Sequence, residues 1–191
     1  IMKTMKLTRI LIVLALALVA GSCSKGNGGV ATIDTDFGQI KIQLDASVAP
    51  KHVENFKKLA REGFYDGLGF HRAVPGLLIQ GGDPNSRTDD RTSWGKGAPG
   101  QPTIAAEFSD KPFKRGVLGA ARRGNDPNSA TSQFFICLRD NPSWTGQYTV
   151  FGEVVEGIEV VEKIALQPTV PGDPGSTMVN KVVMKQVTIQ D

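Results

Sequence analysis

Three polar side chains interrupt apolar runs at positions where an ordinary protein core would not place them. Arg72 and Gln80 lie within the run 70–83, and Gln133 lies within a second run at 132–136. A guanidinium among aromatic and branched residues is costly to bury unless a planar group rich in acceptors occupies its donors. The combination predicts a site that binds an amide or carbonyl group beside an apolar ring.

The motifs around these residues resemble those of the cyclophilin family of peptidyl-prolyl cis-trans isomerases. They are Phe-His-Arg at 70–72, Pro-Gly at 75–76, Gln-Gly-Gly-Asp at 80–83, Ser-Gln-Phe-Phe-Ile at 132–136 and Val-Phe-Gly at 150–152. The motifs agree with the family in order and spacing, and the match extends from about Ala31 to Ile189. The resemblance implies an enzyme that accelerates rotation about X-Pro bonds.

Rotation about an X-Pro bond needs neither a nucleophile nor a metal. Its barrier of about 18 to 20 kcal/mol comes from amide resonance, which is lost in the twisted transition state. A fixed cation that donates toward the prolyl nitrogen stabilises that state, because the nitrogen is more basic there. The resemblance also implies Arg72 as this donor, with Gln80 and Gln133 orienting it and binding the peptide backbone, and it implies no cofactor.

An apolar pocket is expected to hold the proline ring. The resemblance implies Phe135 as one wall, with Leu77 and Leu78 around it, where the family commonly has Phe and then Met. Ala121 matches the alanine on the floor of the family's groove. Arg122 stands where many members have Asn, so we expect it to contact the peptide through its backbone.

The segment 142–148 departs most from the family pattern. Aligned back from Phe151 without gaps, Tyr148 replaces the pocket histidine and Ser143 replaces the family's tryptophan. A single gap would instead bring Trp144 to the tryptophan position, and both alignments predict this segment at the peptide-binding groove. Tyr148 can still supply a ring and a hydroxyl group, so we expect catalysis to survive and sensitivity to cyclosporin to weaken.

The remaining reactive side chains predict structure rather than chemistry. His71 is expected to be a packed structural histidine, since no proton transfer is required, and His52 is expected to be exposed on a helix. Two histidines without a cysteine or acidic cluster argue against a metal site. Cys137 lies in the apolar run 134–138, which predicts a buried structural thiol.

Strand and turn signals alternate from Val30 onward and predict a mainly β fold. We expect strands at or near 31–35, 39–44, 116–121, 133–138, 150–155 and 181–189, one helix starting at Pro50, and a second at 156–166. The inward face of the second helix is expected to consist of Ile158, Val161, Ile164 and Ala165. Many short strands favour a closed antiparallel barrel, and the resemblance implies eight strands capped by a helix at each end.

The start of the chain predicts a targeting segment. Lys3, Lys6 and Arg9 precede an apolar run at 10–20, which is too short to span a bilayer but typical of a signal peptide. The small residues before Cys23 resemble a bacterial lipobox, which implies that this cysteine carries a lipid. An ordinary secretory signal with an incidental cysteine is the alternative.

These signals predict a lipoprotein-type signal peptide at 1–22, a short tether at 23–29 and one cyclophilin-like domain at 30–191. The formal net charge is +3, and it belongs to the signal segment, because the rest of the chain has 19 basic and 19 acidic side chains. A neutral domain gives no support to nucleic-acid binding. No apolar stripe extends beyond the expected core, so a monomer is expected.

The leading interpretation is an isomerase that acts on prolyl bonds of exported or unfolded polypeptides and assists their folding. Such bonds isomerise slowly enough to limit folding. We expect the protein to be lipid-anchored in the cell envelope, on the extracytoplasmic side of a membrane. Two other classes are a cyclophilin fold that binds prolyl peptides without turnover and a lipid-anchored barrel that binds a small ligand. The intact set Arg72, Gln80, Gln133 and Phe135 favours the enzyme.

Overall fold

The computed structural model describes residues 28–191. The predictions for the signal peptide at 1–22, the lipidated Cys23 and most of the tether fall on residues outside this range. Its strands are β1 Val30–Thr35, β2 Gly38–Leu44, β3 Gly69–Val74, β4 Leu78–Gly81, β5 Val117–Ala120, β6 Phe134–Cys137, β7 Val150–Glu156 and β8 Thr177–Gln190. Its α-helices are α1 Pro50–Arg61 and α2 Ile158–Ala165, and no helix of this range is long and apolar enough to cross a membrane.

The eight strands close into a barrel. Their order around it is β1-β2-β7-β5-β6-β4-β3-β8, and every neighbouring pair is antiparallel. Closure leaves no unpaired sheet edge to attract another chain. The predicted closed eight-stranded antiparallel barrel is confirmed, whereas the capping of its ends by the two helices stays a prediction.

The barrel interior is filled by alternate residues of its strands. On β2, Ile40, Ile42 and Leu44 are fully buried, while Lys41 and Gln43 between them are half-buried. This is the alternation that the sequence predicts for a strand with one buried face. Each fully buried aliphatic side chain stabilises the fold by about 1.5–3 kcal/mol relative to an exposed one.

The start of α1 is capped from a distant part of the chain, and this corrects one prediction. The residue before the helix, Ala49, has no capping side chain. Instead the Glu107 carboxylate accepts hydrogen bonds from the backbone N–H groups of Lys51 (3.1 Å) and His52 (3.0 Å). His52 was expected to be exposed, but only 4% of it is accessible and its Nδ1 lies 2.6 Å from Glu107 Oε2. A carboxylate satisfies the Nδ1 of this buried imidazole, whereas its Nε2 has no partner among the described residues.

The second helix is rotated slightly from its predicted orientation. Val161, Ile164 and Ala165 are buried as expected, but Val160 replaces Ile158 as the fourth buried residue. The helix begins after Gly157, whose φ is +85° and whose position leaves no room for a side chain beside the Gln39 backbone. Glycine adopts this left-handed conformation at little cost.

A second apolar cluster lies on the outer face of the barrel. Its fully or nearly buried members are Leu78, Phe113, Val117, Phe135, Cys137 and Val150. The alternation of β6 explains the separation, since Phe134 and Ile136 point into the interior while Phe135 and Cys137 point away from it. Cys137 is fully buried, as predicted, and burial raises the pKa of its thiol to about 12.

Candidate active site

One row of cross-strand partners carries three of the predicted site residues. Arg72 on β3 lies opposite Gln80 on β4, which lies opposite Phe135 on β6. Residues directly opposite each other in antiparallel strands point to the same face of the sheet. Because Phe134 next to Phe135 points into the barrel, the row faces outward.

A chain of hydrogen bonds joins the three polar residues that the sequence singles out. Arg72 donates from Nη1 to Gln80 Oε1 (3.2 Å), and Gln80 donates from Nε2 to Gln133 Oε1 (3.0 Å). Gln133 in turn donates from Nε2 to the Gly95 carbonyl oxygen (3.3 Å). Each amide therefore has a defined orientation, and Arg72 is held at the end of the chain.

The Arg72 guanidinium is also held from the turn before β8. Its Nε donates to the Gly175 carbonyl oxygen at 2.8 Å. The side chain is half-buried, and no group within residues 28–191 accepts a hydrogen bond from its Nη2. A half-buried cation with one edge fixed and donors directed outward can bind an incoming acceptor without reorganising.

The turn that holds Arg72 is itself organised by a carboxylate. Asp173 accepts from the backbone N–H groups of Gly175 (2.9 Å) and Thr177 (2.8 Å). Hydrogen bonding by the Thr177 side chain, then by the two backbone N–H groups, lowers the pKa of Asp173, with a smaller contribution from the Arg72 charge. Ser176 within this turn has φ +55°. Within residues 28–191 it is the one non-glycine residue with positive φ, a conformation that costs free energy and needs support from its surroundings.

Aromatic rings form an apolar platform beside the polar chain. Phe135 is 4% exposed, stacks on Phe113 with ring centroids 5.8 Å apart, and meets the edges of Trp144 (5.4 Å) and Tyr148 (5.5 Å). The other predicted pocket residues, Leu77, Leu78 and Ala121, pack in the same cluster. Leu78 is buried, whereas Leu77 and Ala121 are half-exposed. The structure therefore brings all the predicted apolar residues together.

Two residues of this platform were missed from the sequence. Phe113 is 1% exposed and supports the Phe135 ring, but it stands between charged neighbours in Lys-Pro-Phe-Lys-Arg. Gly119 lies opposite Phe135 across β5 and β6, and a Cβ built there would come within 2.8 Å of the ring's Cε1. A glycine inside an apolar strand run was the available signal, because it often marks a close approach.

The two alignments of the segment 142–148 place either Ser143 or Trp144 at the family's tryptophan position, and these two side chains lie in different surroundings. The Trp144 ring is half-buried against Phe113 and Phe135. Ser143 is exposed, and its hydroxyl donates to Asn141 Oδ1 at 2.8 Å. Trp144 rather than Ser143 therefore places a ring at the platform, next to the ring of Tyr148.

The Arg122 side chain is committed to its own loop. Its Nε and Nη2 both donate to the Gln147 carbonyl oxygen (3.1 Å each), and its Nη1 donates to the carbonyl oxygens of Arg123 (3.0 Å) and Gly124 (2.9 Å). The guanidinium carbon lies 4.6 Å from the centre of the Tyr148 ring, within range of a cation–π contact. These contacts fix the loop and the ring, and the expectation that Arg122 contacts a peptide through its backbone stays a prediction.

His71 lies behind Arg72 and is 3% exposed, as expected for a packed histidine. Neither of its ring nitrogens has a hydrogen-bond partner among the described residues. Burial lowers its pKa, opposed in part by the charge of Asp83, so the neutral form is favoured. The part of the chain covered by the structure contains no cluster of three His, Cys, Asp or Glu side chains that could hold a metal ion.

Comparison with known proteins identifies the family. The family model described as "Cyclophilin type peptidyl-prolyl cis-trans isomerase/CLD" matches residues 30–190. A protein of Brucella suis named "Probable peptidyl-prolyl cis-trans isomerase" is 47% identical over 131 residues, which is 66% of this chain and 66% of the relative. A protein of Arabidopsis thaliana named "Peptidyl-prolyl cis-trans isomerase CYP18-1" is 41% identical over 145 residues, covering 74% of this chain and 86% of its own length.

A solved structure agrees with this result. The cyclophilin-type isomerase of Cryptosporidium parvum, determined in the presence of the dipeptide Ala-Pro, has a TM-score of 0.74 and 29% sequence identity. The alignment covers 85% of this chain and 99% of that one. The chain belongs to the family of cyclophilin-type peptidyl-prolyl cis-trans isomerases.

Proposed function

We propose that the protein is a peptidyl-prolyl cis-trans isomerase. The observation that carries the proposal is the outward-facing row in which Arg72, oriented by Gln80, stands beside the apolar platform around Phe135. A proline within a peptide offers the two features that match this row, an apolar ring and an adjacent amide. Family membership and the names of the relatives support the same activity.

In this proposal the platform binds the proline ring and Arg72 acts on the amide. Twisting the X-Pro bond localises the lone pair on the prolyl nitrogen, so the nitrogen becomes a better hydrogen-bond acceptor than in the planar ground state. A cationic donor fixed beside it stabilises the twisted state more than the planar one, which is the condition for catalysis. A single preorganised donor of this kind contributes about 100- to 1,000-fold to a rate.

The fixed position of the Arg72 guanidinium matters as much as its charge. A flexible arginine would lose conformational freedom each time it engaged the substrate, whereas here Nε is bonded to Gly175 and Nη1 to Gln80 before the peptide arrives. Gln80 and Gln133 have a second part in the proposal, since their amides are suited to bind the peptide backbone on either side of the proline. No proton is transferred, so neither histidine needs to titrate.

A cyclophilin fold that binds prolyl peptides without turnover is the rival from another class. A binding module needs the apolar platform but not a guanidinium held on two sides. The Arg72 geometry therefore favours the enzyme over the binder.

The test measures the cis-to-trans rate of an Ala-Pro test peptide by NMR exchange with the purified protein and with its Arg72→Ala variant. We expect the protein to accelerate the exchange strongly and the variant to lose about 100-fold or more of this activity while still folded. Equal rates for the two folded proteins would remove the catalytic part from Arg72. Binding of the peptide without any acceleration by the wild type would support the binding module.

We further propose that the protein is exported and held at a membrane of the cell envelope through a lipid on Cys23, where its clients are unfolded exported polypeptides. The basic start, the short apolar run and the small residues before Cys23 support this. The test is mass spectrometry of the N-terminal peptide from a membrane fraction. A lipid-modified Cys23 is expected, and a soluble protein cleaved elsewhere would exclude the anchor.

A role in folding is proposed on the same basis. The refolding of a client whose slow phase is a prolyl isomerisation should accelerate with the wild-type protein and not with Arg72→Ala. Acceleration by both proteins would point to a chaperone effect independent of isomerisation. We propose a monomer as the working form, which sedimentation of the purified protein would test.

A further inference from the structure

A cavity of about 530 Å³ adjoins the candidate active site on the side away from Arg72. One of its walls consists of Gln80, Gln133, Ala121 and Arg122. Ala121 also packs in the aromatic cluster around Phe135, so the cavity and the platform share this wall. A peptide whose proline ring lies on the platform therefore extends a neighbouring side chain toward the cavity.

The cavity is lined by three cations, Lys96, Arg122 and Arg123, and by no carboxylate among the described residues. No ion pair within residues 28–191 involves any of the three. The remaining lining residues are glycine, alanine, proline, threonine, serine and glutamine. The lining therefore carries an excess of positive charge, although residues 30–191 together have 18 basic and 19 acidic side chains and the buried Asp83 carboxylate accepts from the Gly97 N–H (3.4 Å) behind the lining.

The three cations are not equivalent. Four of the five Arg122 N–H donors are engaged with backbone carbonyl oxygens, which leave its charge in place but fix its direction. Lys96 and Arg123 are exposed, so their charged groups can turn toward a ligand. The Lys96 charge also acts on Asp90, which caps a short 3₁₀ helix by accepting from Thr92.

Other lining residues of the cavity are polar, and Gln101 among them is held in place. Gln101 donates from Nε2 to the Ser132 hydroxyl (3.1 Å) and accepts at Oε1 from the Ala98 N–H (3.3 Å). Thr103 and Thr131 add hydroxyl groups. A carboxylate entering the cavity would be attracted by the three cations and could accept from the threonine hydroxyl groups, whereas an ammonium group would be repelled.

We propose that this cavity binds an acidic side chain of the peptide, so that the protein prefers prolyl substrates carrying Asp or Glu close to the proline. Lys96 and Arg123 are the residues that set this preference. The inference rests on the proposed isomerase function, because it takes the peptide to lie on the platform. The cavity is open to water, so the selection is moderate and weakens as salt is added.

The test uses the purified protein and a set of Ala-Pro peptides that carry Glu, Gln or Lys at one position at a time on either side of the Ala-Pro pair. At one position we expect kcat/KM to fall in the order Glu, Gln, Lys, with Glu about three- to tenfold above Gln at low salt. The double variant Lys96→Gln/Arg123→Gln should lose the preference for Glu and keep its rate on the Gln peptide. Dissociation constants for the Glu and Gln peptides should differ in the same sense.

A matched control removes two charges elsewhere. Lys58 on α1 and Lys163 on α2 are exposed and outside the cavity, and Lys58→Gln/Lys163→Gln changes the net charge by the same amount. This variant should keep the Glu preference. If it loses the preference as fully as the cavity variant, or if no position distinguishes Glu from Gln in rate or binding, the inference is wrong. Absence of catalysis on every peptide would instead contradict the proposed function, and the dissociation constants would still report on the cavity.

Discussion

The interior of the barrel and its outer platform are built by alternate residues of the same strands, yet they differ in exposure to solvent. The interior side of β1 and β2 is aliphatic and fully buried, with Ala31, Ile33 and Ile40 at 0% exposure. The platform is mainly aromatic, and Trp144 and Tyr148 remain half-exposed. Strand alternation thus assigns stability to one face and the candidate site to the other.

The two faces also differ in where polar groups are allowed. The row Arg72, Gln80 and Phe135 combines a cation, an amide and a ring, and it lies entirely on the outer face. There solvent and neighbouring amides satisfy the polar atoms, whereas the barrel interior offers no partners for a guanidinium. The barrel therefore serves as a rigid support on which the site is placed.

Phe134 and Phe135, adjacent on β6, point to opposite faces, and their substitution is the strongest test of the difference between the faces. Phe134 is 1% exposed inside the barrel and lies edge-on to Phe56 (5.6 Å), Tyr65 (5.9 Å) and Phe70 (6.0 Å). We expect Phe134→Ala to lower the free energy of unfolding by about 3–5 kcal/mol, as measured by urea denaturation. Phe135→Ala should destabilise less, because its neighbours are partly exposed, but it should lower kcat/KM by at least about tenfold.

The assignment of stability to the inner face is contradicted if the two variants show the opposite effects. If Phe135→Ala unfolds the protein while Phe134→Ala leaves stability unchanged, the outer cluster rather than the interior supports the fold. Activities must be compared at a temperature where both variants are folded.

A substitution at Gly119 changes the outer face and leaves the barrel interior unaltered, so it tests the role of the outer face alone. A Cβ added there meets the Phe135 ring on the outer face, so Gly119→Ala must displace that ring. We expect kcat/KM to fall about tenfold, with a smaller loss of stability than for Phe134→Ala. Gly124→Ala is the matched control, because its Cβ would meet nothing within 4 Å. Equal activities of the two glycine variants would mean that the position of the Phe135 ring is unimportant.

The sequence predicts the outer row well, because its residues are unusual for the runs in which they stand. Arg72, Gln80 and Gln133 are conspicuous among apolar neighbours, and strict alternation at Ile40 and Ile42 identifies an inward face. Local patterns of this kind need no knowledge of distant partners. The barrel follows from the number of short strands together with the family resemblance.

The features that the sequence does not reveal depend on partners far along the chain or on the lack of a side chain at a glycine. His52 is buried because Glu107, fifty-five residues away, accepts from it. Gly119 contributes empty space, and Phe113 is obscured by charged neighbours. The strand β8 begins at Thr177 rather than 181, because Asp173 binds the backbone of a turn that otherwise has the composition of a loop.

The turn before β8 offers a subtler change to the outer face alone. Asp173 organises the backbone whose Gly175 oxygen holds Arg72, so Asp173→Ala should loosen the guanidinium without altering the platform. We expect kcat/KM to fall about three- to tenfold, mainly in kcat, with KM nearly unchanged. Asp173→Asn retains one carbonyl acceptor and should recover part of the loss. If both variants change only thermal stability, the turn supports the fold and does not position Arg72.

The smallest expected effect concerns the two buried histidines, of which His52 has a carboxylate partner at Nδ1 and His71 has no partner at either ring nitrogen among the described residues. Burial lowers the pKa of both, but at His52 the hydrogen bond to the Glu107 carboxylate opposes this in part, whereas both ring nitrogens of His71 lack partners within residues 28–191. The charges that act on His71 are Asp83, which raises its pKa, and Arg72, which lowers it.

A histidine whose pKa is lower in the folded state binds protons more readily when unfolded. Its neutral form therefore leaves stability unaffected above the unfolded pKa of about 6.5, and stability falls as the pH drops below that value. We expect the free energy of unfolding to decrease by about 1 kcal/mol between pH 7 and pH 5, and we expect His71→Gln to remove most of this decrease. His52→Gln should remove less of it, because the Glu107 carboxylate compensates an imidazolium there. Urea denaturation at the two pH values measures this change in the free energy of unfolding. If His71→Gln has the same pH dependence as the wild type, other groups cause the loss of stability.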